Sequence, residues 1–304
     1  MKLDRLITII TALAVATTFD LLSVAKPAAA IGLTGLTDNN TLINFDSNNP
    51  TATSSVPVTG LQSGSLIGID YRPANNLLYG LTDTNSIYTI NADTGAASFV
   101  STLSTPFTGD VASGIDFNPV PDRLRLVGSN DQNFRINVDT GMTTVDPPLA
   151  YAAGDVNAGV NPRITAEAYT NSFSGPPSPT RTTQLYGIDF GLDTLVLQNP
   201  PNAGTLNTIG SLGIDFDPTG GFDISSPANG VNTAFAATDS TLYTINLSTG
   251  AATSVGTIDG GNSSFIGLAA EPVPEPSSVL GTLAFGAIGA ISLLKRKQKK
   301  NVKV

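Results

Sequence analysis

The stretch Ser113–Val145 reads SGIDFNPVPDRLRLVGSNDQNFRINVDTGMTTV and contains the signals of four short antiparallel strands. The segments RLRLV and NFRIN alternate polar and apolar residues with a period of two, which is typical of half-buried strands. Gly128–Asp131 has turn composition, and the glycine of DTG at 139–141 supplies the positive φ that a tight hairpin needs. Four such strands in about forty residues are the signature of one propeller blade.

Weaker copies of this unit fill the chain from Ile31 to Pro272. The first strands of the copies align three aspartates and one alanine, at Asp70, Asp116, Asp215 and Ala168. Residues 31–58 supply strands two to four of a further unit, and Phe265–Pro272 is a first strand with nothing after it. Since an open strand edge invites aggregation, we expect these two ends to pair. The sequence therefore predicts an all-β fold, a β-propeller of five four-stranded blades closed by its N- and C-terminal strands. Six blades or an open stack are the alternatives.

Composition excludes several kinds of chemistry. The chain has no cysteine and no histidine, so disulfides, thiolate sites, Ser-His-Asp catalysis and histidine-ligated zinc are all excluded. Residues 31–272 contain six arginines, no lysine and 21 acidic residues, a net charge of −15 against −9 for the whole chain. Such a surface repels polyphosphate, so we expect no nucleic-acid partner.

Both termini carry targeting signals. Met1–Ala30 has Lys2 and Arg5 near its start, then an apolar run and a small-residue end, as a secretory signal peptide does. At the other terminus, VPEPSS precedes the apolar run Val279–Leu294 and the basic cluster KRKQKK. Sixteen helical residues span about 24 Å, a little less than a bilayer core, and the basic cluster marks the cytoplasmic end. We therefore expect export and a membrane span at Val279–Leu294.

Two resemblances follow from these segments. The C-terminal order, with Pro274, Glu275 and Pro276 as its motif, closely resembles the bacterial PEP-CTERM sorting signal. That resemblance implies processing by an exosortase-type enzyme, transient anchoring in the cytoplasmic membrane, and delivery to the extracellular side or cell surface, often alongside exopolysaccharide. Residues 31–272, most densely at 114–141, resemble bacterial domain-of-unknown-function family number 4394, which has no assigned activity. The expected division is 1–30 signal peptide, 31–272 propeller and 273–304 sorting segment.

Candidate chemistry rests on carboxylates of the first strands. Five-bladed propellers host glycoside hydrolases, whose mechanism needs two carboxyl groups flanking the bond. Glu167 with Asp116 is the weak catalytic candidate, and Asp70, Asp116, Asp215 and Glu167 together are candidates for ligand or cation binding. The recurrence of aspartate at one repeat position also fits a structural role, in which it accepts backbone hydrogen bonds.

Calcium is the cofactor left open by the oxygen-rich turns. DNN at 38–40, SNDQN at 129–133 and DPTGGFD at 217–223 offer hard oxygen ligands. None has the spacing of an EF-hand loop, and aspartate is also the residue that short turns prefer. We therefore expect no obligatory cofactor.

Three long connections stand out, at Pro147–Pro162, Asn171–Thr183 and Asp217–Asn232. Long loops on a rigid scaffold often carry function. The last two would both join first to second strands, so we expect them to flank one cleft floored by the first-strand carboxylates. The leading interpretation is an exported, non-enzymatic propeller that acts as an extracellular binding or matrix module. The alternatives are a glycan-active hydrolase using the inner-strand carboxylates and a purely structural surface protein.

Overall fold

The computed structural model describes residues 30–109 and 112–273, and these ranges fold almost entirely as β-strands. In chain order, the strands up to residue 145 are β1 (Gly32–Thr37), β2 (Thr41–Asp46), β3 (Asn49–Pro57), β4 (Leu66–Arg72), β5 (Leu77–Thr82), β6 (Ser86–Ile90), β7 (Ala97–Thr102), β8 (Ser113–Asn118), β9 (Arg123–Gly128), β10 (Asn133–Asn137) and β11 (Met142–Val145). They are followed by β12 (Ala150–Tyr151), β13 (Ile164–Tyr169), β14 (Leu185–Asp189), β15 (Thr194–Gln198), β16 (Thr205–Ser211), β17 (Gly221–Ala228), β18 (Val231–Thr238), β19 (Thr241–Ile245), β20 (Ala252–Thr257) and β21 (Phe265–Ala270).

Five small sheets form the five blades of a β-propeller, as predicted. Blade 1 has the strand order β21-β1-β2-β3, blade 2 is β4 to β7, blade 3 is β8 to β11, blade 4 is β13 to β16, and blade 5 is β17 to β20. Neighbouring strands within these sets of four are antiparallel, and the first strand of each set is the inner strand at the axis.

The ring closes through its two ends. β21 pairs antiparallel with β1, with Leu33 opposite Ala270 and Gly35 opposite Leu268. The C-terminal strand therefore completes the blade that the N-terminal strands begin. This confirms the predicted closure and explains why each end of the sequence carries only part of a unit.

Two details differ from the sequence prediction. LGIDFDP at 212–218 was expected to be the inner strand of blade 5, but that strand is β17 and Asp215 lies in an exposed loop before it. The expected long loop Asp217–Asn232 therefore contains an inner strand. The connection Pro147–Pro162 also contains a strand, because β12 pairs parallel with β16 and adds a fifth strand to blade 4.

Apolar residues pack between adjacent blades rather than in one central core. At the junction of blades 2 and 3, for example, Leu81, Phe117, Leu126 and Ile136 are fully or almost fully buried in one cluster. The hairpin glycines of the DTG turns serve this packing, since Gly95 and Gly141 have φ of 71° and 73°. A Cβ on either glycine would collide with a backbone carbonyl of the preceding blade's outgoing chain. Glycine is thus required there by φ and by close approach together.

Within the described ranges no helix has the length and apolar character needed to cross a bilayer. The predicted span Val279–Leu294, the motif Pro274, Glu275 and Pro276, and the predicted signal peptide up to residue 29 lie outside those ranges.

Candidate functional site

The inner strands bring three aspartates together on the propeller axis. Asp70 of β4, Asp116 of β8 and Asp223 of β17 each place one carboxylate oxygen within 4.8 Å of the others. All three side chains are buried, at 5%, 2% and 4% exposure. We call these three residues the axial triad. Asp70 and Asp116 were predicted from the repeat, whereas Asp223 replaces the predicted Asp215.

The axial triad accepts hydrogen bonds from backbone N–H groups that lie at equivalent positions of the inner strands. Each aspartate reaches the next blade and accepts the N–H that follows the equivalent position there. The pairs are Asp70 Oδ2 with Phe117 at 2.6 Å, Asp116 Oδ1 with Tyr169 at 3.2 Å, and Asp223 Oδ2 with Ala270 at 2.5 Å. Unpaired buried N–H groups are costly, so this arrangement explains why aspartate recurs.

The blades without an aspartate complete the pattern. Ala168 of blade 4 and Ala269 of blade 1 occupy the aspartate position and leave the next blade's N–H without an acceptor. In each following blade the aspartate turns its second oxygen back to its own chain. Asp70 Oδ1 accepts the N–H of Tyr71 at 2.7 Å, and Asp223 Oδ1 accepts that of Ile224 at 2.5 Å. Three carboxyl groups therefore serve all five inner strands.

Three carboxylates this close in a buried site cannot all stay ionised. Burial, together with the Asp223 charge, raises the pKa of Asp70 well above its usual value. Burial and the charges of Asp70 and Asp223 do the same to Asp116. Burial raises the pKa of Asp223 to about 6, although hydrogen bonds from Ala270, Ile224 and Asp116 oppose the shift. Shared protons, such as the one in the Asp116–Asp223 hydrogen bond, are the simplest way to neutralise the cluster.

The axial triad fits a cation less well than it fits protons. Ca²⁺ takes six to eight oxygen ligands, but five of the six triad oxygens already accept backbone N–H groups. The residues immediately before the triad on the inner strands are mainly glycine and apolar side chains around a narrow axial space of about 20 Å³. The oxygen-rich turns proposed for Ca²⁺ also use their oxygens locally, as Asp217 does with Thr219 and Asn40 does with Leu66.

One end of the axis is closed by the loop Asn171–Thr183, which we call the strap. The strap leaves blade 4 and donates Gly175 N–H to Pro73 O of blade 2 at 3.0 Å. On the other side Asn171 Oδ1 accepts the N–H of Gly230 in blade 5 at 2.7 Å. A loop tied to blades 2 and 5 must cross the axis. The strap and the β17–β18 turn are neighbours, as expected, but two long loops flanking a cleft are not formed, because residues 217–232 contain the inner strand β17.

Glu167 lies on the inner strand of blade 4, one residue before the aspartate position. Its four counterparts are all apolar, namely Ile69, Ile115, Phe222 and Leu268. Glu167 is 1% exposed, and neither of its carboxyl oxygens has a hydrogen-bond partner among the described residues. Burial raises the pKa of Glu167 to about 8, against the opposing charge of Arg125. At neutral pH this carboxyl group is therefore mostly protonated.

Arg125 organises the polar side of the same junction between blades 3 and 4. Its guanidinium pairs with Asp146 at 2.7 Å and also donates to Asn133 and Tyr169. Asp146 is shared with Arg135, and these two arginines hold the pKa of Asp146 below its usual value despite partial burial. Sequence reasoning missed this network, although an arginine on the alternating strand RLRLV was a visible signal. Arg125 and Asp146 are buried in this network, and Arg135 is its partly exposed member.

A second site lies on the opposite face, where blade 5 meets blade 1. A cavity of about 340 Å³ opens there between the β18–β19 turn and the connection from β20 to β21. Its lining is mostly carboxylates, hydroxyls and an amide: Asp217, Thr219, Thr238, Asp239, Ser240, Asn262, Ser263 and Ser264, with Gly261 and Phe265. We call it the junction cleft. Sequence reasoning included only Asp217 and Thr219 of these residues, as part of a calcium candidate.

The two family profiles that match the chain name no activity. The family profile described as "Domain of unknown function (DUF4394)" matches residues 41–269, and the profile described as "PEP-CTERM protein-sorting motif" matches residues 272–297. No curated protein matches the chain.

Solved structures resemble the chain only in outline. A chain of the nidogen/laminin complex is 12% identical, with 81% of this chain and 100% of that chain covered and a TM-score of 0.48. A Bacteroides thetaiotaomicron protein of unknown function is 17% identical over 79% and 64%, with a TM-score of 0.45. A catalytically inactive virginiamycin B lyase from Staphylococcus aureus, crystallised with quinupristin, is 12% identical over 74% and 69%, with a TM-score of 0.39. At these levels of similarity none of the three bears on function.

Proposed function

We propose that this protein is a non-enzymatic extracellular binding module. The premise is that the chain belongs to the DUF4394 family and carries the PEP-CTERM signal of an exported, cell-surface-targeted protein. Its ligand would be a component of the surrounding matrix, with exopolysaccharide as the leading class. The propeller provides a rigid ring, and its surface-exposed connections provide the contacts.

One observation carries this proposal: the two candidate catalytic residues, Glu167 and Asp116, are buried, while the polar junction cleft is open. Glu167 and Asp116 are 1% and 2% exposed, and a general acid or base has to reach the bond it acts on. The junction cleft has the size of a small-ligand pocket, which is commonly about 300–1,000 Å³. Binding without turnover is therefore the function that the geometry supports best.

The test uses the protein recovered from its producing cells and the extracellular polysaccharide of those cells. We expect saturable co-sedimentation of the protein with the polymer and no increase in reducing ends over time. An increase in reducing ends that disappears in Glu167→Gln would support the hydrolase alternative. Absence of both binding and product would support a purely structural surface protein.

The sorting signal supports a second part of the proposal, which concerns processing. The mature protein would lack Met1–Ala30 and most of Val279–Val304, the latter after cleavage near Pro274–Pro276 by an exosortase-type enzyme. Before that cleavage, Val279–Leu294 would hold the chain in the cytoplasmic membrane. Intact-mass measurement of the cell-surface fraction tests this. A full-length C-terminus in that fraction would contradict it.

A further inference from the structure

The geometry points to the junction cleft as a binding site for one neutral sugar unit of a glycan, held through its hydroxyl groups by Asp239, Asp217 and Asn262. This inference rests on the proposed binding function and assigns its site and ligand chemistry. It comes from a break in the pattern by which neighbouring blades are joined.

Three of the other junctions share one joining device. The turn between the second and third strands of a blade ends in a residue with positive φ, and its side chain accepts an N–H from the chain entering the next blade. The pairs are Asn40 with Leu66 at 2.7 Å, Asn85 with Phe107 at 2.7 Å and Asp193 with Phe216 at 2.9 Å. This hydrogen bond holds the incoming chain against the turn.

Blade 5 lacks this device, as does blade 3, where Asp131 Oδ1 has no hydrogen-bond partner among the described residues, and the turn of blade 5 is also shorter than the other turns. Only Asp239 and Ser240 separate β18 from β19, and both have positive φ, 47° and 58°. Ser240 donates its hydroxyl to the carbonyl of Ser263, so the polarity of the joining bond is reversed. The Asp239 carboxylate forms no hydrogen bond or ion pair within the described part of the chain and faces the cleft that its turn borders. Positive φ at both residues is what a two-residue type I′ hairpin turn requires.

The connection from β20 to β21 is bonded to the turn through Ser240 and is also held by contacts with blade 1. Asp259 Oδ1 accepts the hydroxyl of Thr53 in β3 at 2.9 Å, and its Oδ2 accepts the hydroxyl of Ser263 at 2.7 Å. These bonds anchor the connection to the outer strand of blade 1. The junction cleft is therefore bordered by a turn and a connection that hydrogen bonds hold in place.

The lining determines the class of ligand. The Asp239 carboxylate and Oδ2 of Asp217, whose Oδ1 already accepts from Thr219, can accept hydroxyl groups, while Asn262 and Ser264 are exposed at the rim and can donate as well as accept. Phe265, buried under the cleft, adds an apolar floor. Two carboxylates disfavour phosphates and uronic acids by like charge, and about 340 Å³ is far more space than a bare cation needs. A neutral polyhydroxylated ring matches all of these properties.

The experiment measures binding of the full-length chain to immobilised oligosaccharides containing neutral hexoses, N-acetylhexosamines or uronic acids. We expect binding to a neutral member of the panel, no binding to the uronic acids, and no change with EDTA. Asp239→Asn should weaken binding at least tenfold, because it removes a charged hydrogen-bond acceptor. Ser264→Trp, at an exposed position on the rim, should abolish binding by filling the cleft.

The matched control is Asp38→Asn, because Asp38 follows Thr37 in the turn of blade 1 as Asp239 follows Thr238 in blade 5. Asp38→Asn should bind like the parent, and thermal melts should show that all three variants are folded. If the parent binds and Asp239→Asn and Ser264→Trp bind equally well, the cleft assignment is overturned while the proposed function stands. Binding lost in EDTA would overturn direct recognition of hydroxyls by the carboxylates. A parent that binds no glycan would overturn the inference and the proposed function together.

Discussion

The axial triad and the junction cleft both hold aspartates, but the two sites use them in opposite ways. On the axis, three buried carboxyl groups accept backbone N–H groups from inner strands and lie beneath the strap. At the junction of blades 5 and 1, Asp239 is exposed and forms no bond within the described residues. The first arrangement ties blades together, whereas the second leaves a carboxylate available to solvent and ligand. Hydrogen-bond partners and exposure, more than residue type, separate a structural aspartate from a candidate binding one.

The largest effect should come from removing an aspartate of the axial triad. Asp223→Ala leaves the buried N–H groups of Ile224 and Ala270 without acceptors, and each costs about 1–3 kcal/mol. We expect the free energy of unfolding to fall by about 2–5 kcal/mol, measured by urea denaturation. Asp215→Ala is the control, since that residue lies in an exposed loop and should change stability by less than about 0.5 kcal/mol. Equal effects of the two changes would contradict the assigned register.

That control also shows where sequence reasoning ended. The tripeptide GID at 213–215 matches the repeat better than GFD at 221–223 does, so local similarity favoured Asp215. Spacing was the available signal. Asp70 precedes the turn aspartate Asp83 by 13 residues, whereas Asp215 precedes Asp239 by 24 and Asp223 precedes it by 16. Which segment becomes the inner strand is decided by pairing with β18 and by contact with β21, and both are long-range interactions that no local pattern reports.

The fold was more predictable than the candidate site for a physical reason. Blades are built from short hairpins, and a short stretch of sequence is enough to identify their turns and alternating strands, as in DTG at 139–141 and RLRLV. Ring closure could be predicted because residues 31–58 lack a first strand and Phe265–Pro272 is a first strand without the rest of its blade. The junction cleft, by contrast, lies between a turn of two residues, Asp239 and Ser240, and a connection that is anchored to Thr53 in the outer strand of blade 1. An opening between distant segments leaves no periodic signal in the sequence.

A second effect, an increase in stability, is expected from replacing Glu167, the one acidic residue at an inner-strand position that is apolar in the other blades. Glu167→Leu replaces a buried carboxyl group without a hydrogen-bond partner by the residue type found in the other blades. We expect the free energy of unfolding at pH 7 to rise by about 1–3 kcal/mol. Arg125 keeps its ion pair with Asp146 in this variant.

The pH profile distinguishes this explanation from better packing alone. Because the folded-state pKa of Glu167 is raised to about 8, the folded parent binds more protons than the unfolded chain between about pH 4.5 and 8. Stability of the parent should therefore fall as pH rises through that window, and Glu167→Leu should remove this part of the fall. Ile69→Leu at the equivalent position of blade 2 should leave the profile unchanged. A parallel shift of the Glu167→Leu curve would show that ionisation is not the cause.

A smaller effect should separate the members of the axial triad. Asp116 accepts only one backbone N–H and shares a hydrogen bond with Asp223 that requires a proton. In Asp116→Asn the amide can still accept from Tyr169 and can donate permanently to Asp223. Since the parent triad has raised pKa values, its contribution to stability is present below about pH 4 and is lost as pH rises. We expect the variant to lose less free energy of unfolding than the parent as the pH rises. At pH 8 it should be more stable than the parent by about 1 kcal/mol. Urea denaturation at pH 5 and pH 8 measures this, with Asp215→Asn as the control that should follow the parent.

The smallest effect on stability should occur in the junction cleft. Asp239→Asn changes an exposed carboxylate at φ 47°, a conformation in which asparagine is at least as favourable as aspartate. No hydrogen bond within the described residues depends on the Asp239 side chain, so the free energy of unfolding should change by less than about 0.5 kcal/mol. The same substitution is expected to weaken glycan binding at least tenfold, whereas Asp116→Asn should leave binding unchanged. Thermal melts and binding isotherms on the same samples check both expectations. A melting shift in Asp239→Asn as large as that of Asp223→Ala would mean that the cleft aspartate is also structural, and the distinction between the two sites would then disappear.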